Sequence, residues 1–125
     1  MQDISGIPER GQQLVNSYGD GGFRISGVRH NGNILLFPDQ TLAWEISGIE
    51  ALSLEALAPV LAADPAVEIL LIGCGATMAF IGDDIRTACR KKGIIIDSMD
   101  SGAAVRTYNV LLLERRRVAA ALIAC

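Results

Sequence analysis

The chain has 125 residues, 11 Lys plus Arg against 14 Asp plus Glu for a net charge of −3, and half of its residues are hydrophobic while 20% are charged. That composition excludes a disordered chain and gives a single domain enough apolar mass for a real core. The pI near 5.0 argues against a general nucleic-acid binder, which carries a basic total and a basic patch.

Residues 1–11 hold two Gly, one Pro and several charges. They read as a loose lead-in to a single α/β domain over 12–125. Met1-Gln2-Asp3-Ile4-Ser5-Gly6 has no basic region ahead of an apolar block, so no secretory signal is expected. Gln12 to Tyr18 reads as a strand, followed by a turn at Gly19-Asp20-Gly21-Gly22. Phe23 to Val28 and Asn33 to Phe37 flank Asn31-Gly32, a strong hairpin signal because both residues tolerate positive φ. Pro38-Asp39 ends that hairpin, and Thr41 to Ile46, with Trp44, is a further strand.

The second half changes character. Ser53 is placed to cap a helix carrying Leu54, Leu57, Val60 and Leu61 at helical spacing, and Asp64-Pro65 stops it. Glu68 to Ile72 is the continuous apolar run of a strand covered on both faces. Asp83 to Lys92 reads as a helix with cations in its last turn and Gly93 beyond its end. Ile94 to Ile96 is a second buried strand, Ser101 could cap a helix over Ala103 to Glu114, and Val118 to Ile123 is a third buried strand. The expected fold is therefore one three-layer α/β domain with a mixed sheet. An N-terminal antiparallel hairpin precedes a parallel αβαβαβ part with right-handed crossovers.

The longest uncharged run, Ile69 to Gly82, holds three glycines and is shorter than the roughly 20 apolar residues of a spanning helix. No membrane span is expected. Three widely spaced cysteines, Cys74, Cys89 and Cys125, fit reduced thiols in a cytoplasm. With the single His30 they make no metal-ligand spacing, so no metal or other cofactor is expected. Charge is uneven: residues 1–85 hold 3 basic and 11 acidic side chains, and residues 86–125 hold 8 and 3. Two solvated helix faces and a turn account for this, and a bipolar surface selecting a partner is the sharper alternative.

In open α/β sheets ligands sit beyond the carboxyl ends of the parallel strands. Two loops qualify here, one over residues 73–77 and one over 97–102. Gly73-Cys74-Gly75 starts like a dinucleotide fingerprint, but Met78 stands where the third glycine belongs, so a tight strand exit is the better reading. Cys74 becomes a nucleophile only if a base or helix start lowers its pKa, and His30 would have to fold over it. Ser101, Gly102 and the following amides form a helix start suited to a carboxylate or phosphate, with Arg106 in reach. Asp97 and Asp100 could instead satisfy Arg106 and the helix start themselves. Thr107, Tyr108 and Asn109 give that helix a polar face, for a ligand or for neighbouring loops. Trp44 packs in the core by default and anchors an interface if exposed.

Gly21-Gly22-Phe23-Arg24-Ile25, the single Trp44 after Pro38, Leu70-Leu71-Ile72-Gly73-x-Gly75 and above all Ser101 to Leu111 resemble a small α/β family. Its members include the mitochondrial NADH:ubiquinone oxidoreductase (complex I) assembly factor 3, an adipogenesis-associated human protein and many uncharacterised bacterial proteins. The resemblance covers residues 12–124 and implies a compact three-layer α/β domain. For the mitochondrial members it implies a non-catalytic role in assembling a respiratory complex. Members often carry Thr at the position of Cys74, which weakens a nucleophile there. Many have Pro near the start of the second helix, where this chain has Phe80-Ile81-Gly82-Asp83.

Three readings follow. The first is a non-enzymatic binding or assembly protein with a protein partner, compatible with a homo-oligomer, using Gly73, Cys74, Gly75, Ser101, Gly102, Arg106, Thr107, Tyr108, Asn109 and Trp44. The second is a small-anion binder or enzyme built on the loops at 73–77 and 97–102. In the third, Gly102 to Asn109 only closes the fold.

Overall fold

The computed structural model describes residues 11–125. The lead-in, apart from Gly11, lies outside the described residues. Three strands come first: β1 (Val15–Gly19), β2 (Gly22–Ile25) and β3 (Val28–Asn31), paired antiparallel in the order β1-β2-β3. Two-residue turns join them, with positive φ at Asp20 (54°), Gly21 (77°), Ser26 (45°) and Gly27 (86°). Positive φ at both central residues is what a type I′ turn requires, and its twist matches that of the strands.

β4 (Ile34–Phe37) and β5 (Gln40–Ala43) form a further hairpin, closed by Pro38-Asp39. The hairpin expected across Asn31-Gly32 does not form, because β3 and β4 belong to different sheets. Asn33 holds the crossing between them. Its Nδ2 donates to Ile46 O at 2.9 Å, its Oδ1 accepts from Ala124 N at 2.7 Å, and its carbonyl accepts from Trp44 N at 2.9 Å. The run Phe23 to Val28, expected as one strand, breaks at Ser26-Gly27.

The helix expected after Ser53 is shorter than expected. Two 3₁₀ turns, Ile49–Ala51 and Glu55–Leu57, precede α1 (Ala58–Leu61). Pro59 has no N–H to donate to Glu55 O, so a continuous helix cannot run through it. Glu55 O instead accepts from Ala58 N, and Ser53 Oγ accepts from Ala56 N at 3.1 Å.

β6 (Ile69–Gly73), α2 (Asp83–Lys91), β7 (Ile95–Met99), α3 (Ser101–Leu113) and β8 (Val118–Leu122) complete the chain. The five-stranded sheet runs β5-β4-β8-β6-β7, with β6 parallel to β7 and β8 and β4 antiparallel to β8. The parallel and antiparallel parts thus share one mixed sheet, as expected, and the three N-terminal strands form a separate one.

The strand period sorts side chains onto two faces. Leu35, Phe37, Leu70, Ile72, Ile94, Ile96, Ala119 and Ala121 pack on one side with Trp44, Leu57 and Val60. Ile34, Leu36, Leu71, Val118, Ala120 and Leu122 pack on the other with α3 and the three-stranded sheet. β8 is buried throughout and holds three consecutive alanines. Small residues on a central strand leave room for large ones from both layers, Trp44 on one side and Tyr108 and Phe23 on the other.

Candidate functional site

The loops after β6 and before α3 meet at the carboxyl ends of the parallel strands, and Ser101 joins them. Its N–H donates to Gly75 O at 2.8 Å, and its Oγ accepts from Gly75 N at 2.9 Å and donates to Ile123 O at 2.6 Å. Ser101 is fully buried. β8 and α3 approach so closely that a Cβ on Gly73 would lie 2.8 Å from Leu122 Cδ2 and 2.9 Å from Ser101 Oγ. Gly75, at φ +98°, turns the chain away. These glycines make the tight strand exit that the sequence favours over a nucleotide site.

Ser101 is not the cap of α3. Asp97, Ser98 and Met99, expected in the loop, extend β7 and pair with Leu71, Ile72 and Gly73. Asp100 then becomes the N-cap, and its Oδ1 accepts from Ala103 N at 2.9 Å. A carboxylate of the chain itself therefore occupies the helix start. A side chain on Gly102 would run into the Tyr18 hydroxyl. Arg106 pairs with neither Asp97 nor Asp100. It is exposed and has no hydrogen bond or ion pair among the described residues.

Tyr108 and Asn109 point into the protein. Tyr108 is fully buried, and its hydroxyl donates to Gln13 O at 2.9 Å. Burial, with the nearby charge of Asp39, pushes its phenol well above the usual tyrosine range. Asn109 Oδ1 accepts from Val15 N at 2.9 Å while Nδ2 donates to Val15 O at 2.8 Å. Thr107 Oγ1 donates back to Ala103 O at 2.9 Å and lies 3.7 Å from Met99 Sδ.

Two further site expectations meet a buried environment. Trp44 is 6% exposed, and its Nε1 donates to Ala56 O at 2.8 Å, so it is core and not an exposed anchor. Cys74 is 7% exposed, and its thiol faces the Ile72 and Ala79 carbonyls. It belongs to the cluster around Trp44, whereas His30 is on β3 in the layer on the other side of the five-stranded sheet. The fold does not bring the two together. Cys89 is also buried, which pushes its thiol upward.

Two features escaped sequence reasoning. The loop before α2 exposes Phe80 (84%) and Met78 (68%) while Ile81 is buried. Arg86 fixes that loop: its Nε donates to Ile81 O at 3.2 Å, and its other nitrogens reach Ile96 O and Ser98 Oγ at 3.0 and 3.1 Å. At the opposite end of the sheet, a groove of about 360 Å3 lies between the β4–β5 hairpin and the connection from α1 to β6. Its lining is scattered over four segments, so no local pattern announces it. No helix among the described residues is long and apolar enough to cross a membrane.

A family model described as "Protein of unknown function (DUF498/DUF598)" matches residues 15–123. An uncharacterised protein of Rhodobacter capsulatus is 36% identical over 110 residues, covering 87% of this chain and 82% of that protein. NADH dehydrogenase [ubiquinone] 1 alpha subcomplex assembly factor 3 of Xenopus tropicalis is 32% identical over 110 residues, covering 88% of this chain. This chain spans 60% of that assembly factor's length. A crystal structure described as an outer membrane protein from Bartonella henselae superposes with a TM-score of 0.84 at 38% identity, covering 91% of this chain and 96% of that one. The solution structure of a Bordetella pertussis protein, described as a Mth938-like domain, gives 0.81 at 25% identity, covering 98% and 92%.

Proposed function

This chain belongs to the DUF498/DUF598 family, and from that premise we propose that it is a non-catalytic binding protein acting in the assembly of an NADH dehydrogenase complex. The observation that carries this reading is the identity with assembly factor 3 of Xenopus tropicalis, 32% over 110 residues. The use of polar side chains supports it. Ser101, Asp100, Tyr108 and Asn109 are occupied by backbone groups of the chain. Arg106 on α3, and Met78 and Phe80 in the loop after β6, remain exposed. Two exposed apolar side chains and an exposed guanidinium suit a protein surface, where Arg and large apolar side chains carry most of the binding energy.

The small-anion reading is less well supported, because a ligand at the α3 start would have to displace Asp100 from Ala103 N. Recovery of partners by the tagged full chain from its own host separates the two. Subunits of an NADH dehydrogenase complex are expected. A chain recovered alone, whose melting temperature rises with a phosphate, nucleotide or carboxylate, would replace this reading with the anion one.

A further inference from the structure

The five-stranded sheet ends at β5, and the register fixes which backbone groups of that strand are free. Phe37 and Gln40 flank the two-residue turn, and Trp44 N donates to Asn33 O at 2.9 Å. Hydrogen-bonded pairs alternate along such a ladder. Gln40 and Leu42 therefore turn their N–H and C=O groups toward β4, and Thr41 and Ala43 turn theirs outward. Among the described residues no backbone group pairs with that outer edge.

The groove of about 360 Å3 opens beside this edge. Phe37, Leu42, Pro59 and Val67 give it an apolar floor, and Asp39, Asp64 and Arg117 are its charged lining. Arg117 is held by Glu68 at 2.6 Å. The carboxylates of Asp39 and Asp64 have neither a hydrogen bond nor an ion pair among the described residues. Arg115 and Arg116 precede Arg117 but lie outside the lining. The groove thus joins, among the described residues, an open strand edge, an apolar floor and two exposed carboxylates that make no ion pair.

We propose that this groove and the outer edge of β5 dock an extended polypeptide segment of a partner protein with Lys or Arg at alternate positions. Strand addition satisfies the outward groups of Thr41 and Ala43. Alternate side chains of the added strand then point into the groove. A Lys or Arg lays its aliphatic stem on the apolar floor and brings its charge to Asp39 and Asp64. An acidic segment meets the same carboxylates with like charge. This extends the binding role proposed above to a second surface, at the end of the sheet opposite the β6 and α3 loops.

The test is an NMR titration of the full chain with acetyl-Lys-Thr-Lys-Thr-Lys-amide, its Glu counterpart, and an N-methylated Lys peptide that cannot pair as a strand. Saturable shifts are expected at the Thr41 and Ala43 amides and at the Leu42 and Val67 methyls, with the unmodified Lys peptide alone. Asp39→Asn with Asp64→Asn should weaken its binding about fivefold or more, with an unchanged melting temperature showing an intact fold. No shift with the Lys peptide, equal response to the Glu peptide, equal response to the N-methylated peptide, or shifts confined to another surface would each overturn the proposal. Partner recovery in the host does not enter this readout, so the groove and the assembly role can fail separately.

Discussion

The side chain of Asn109 pairs with Val15 as a neighbouring strand would. Val15 N donates to Oδ1 at 2.9 Å and Nδ2 donates to Val15 O at 2.8 Å, across 94 positions of sequence. One residue earlier, Tyr108 closes a third bond, onto Gln13 O. Together they fasten α3 to the first strand of the separate sheet. The polar stretch that most resembles a binding motif therefore has at least one structural duty.

Asn109→Ala leaves both backbone groups of Val15 without these partners. Val15 is 6% exposed, so water replaces them poorly. A loss of about 2–3 kcal/mol in chemical denaturation is expected. A loss below about 0.5 kcal/mol would mean that the three-stranded sheet is held by its apolar face alone.

Tyr108 gives stability a pH dependence of known sign. Its phenol is raised in the folded state, so its contribution is complete below the unfolded value of about 10 and is lost as pH rises beyond it. Wild type should weaken above about pH 10 more steeply than Tyr108→Phe. At neutral pH the variant should lose only the bond to Gln13 O, about 1 kcal/mol. Parallel stability curves from neutral to alkaline pH would contradict the burial of the hydroxyl.

Gly73→Ala and Ser101→Ala test the junction of the two loops from opposite directions. The first forces a Cβ against Leu122 and Ser101, and should cost about 1–3 kcal/mol. The second opens two hydrogen bonds, to Gly75 N and Ile123 O, and should cost about 2 kcal/mol. Because they share one contact, the double variant should fall short of the sum. Strict additivity in a double-mutant cycle would show that the contact carries no coupling.

Trp44→Phe removes the Nε1 bond to Ala56 O and leaves space beside β8. A destabilisation of about 1–3 kcal/mol is expected. A variant as stable as wild type would place Trp44 outside the core.

The sequence carried the fold where apolar period and turn chemistry agreed. The continuous runs of β6 and β8 announced strands covered on both faces, and Asp20-Gly21 announced its turn. It misled at Asn31-Gly32, where the positive φ of Gly32 (84°) serves a crossing between sheets and not a hairpin. Ser26-Gly27 went unread because Phe23 to Val28 is a plausible single strand. At the candidate site, the weight of Gly102 to Asn109 was visible, but its direction was not. Whether Asn109 faces Val15 or solvent depends on a sheet 94 positions away. Phe80 and the β5 groove were illegible for a similar reason. Exposure and concavity are properties of packing between distant segments.

The assembly role is tested most directly by recovering partners from the host with wild type, Arg106→Ala, and Met78→Ser with Phe80→Ser, measuring each melting temperature alongside. Arg106, Met78 and Phe80 are all exposed, so the folds should melt within about 0.5 kcal/mol of one another. Wild type should bring down subunits of an NADH dehydrogenase complex, and both variants should lose most of them at unchanged stability. Equal recovery by all three chains would remove these side chains from the binding role, and a wild-type chain that returns no such subunit would contradict the role itself.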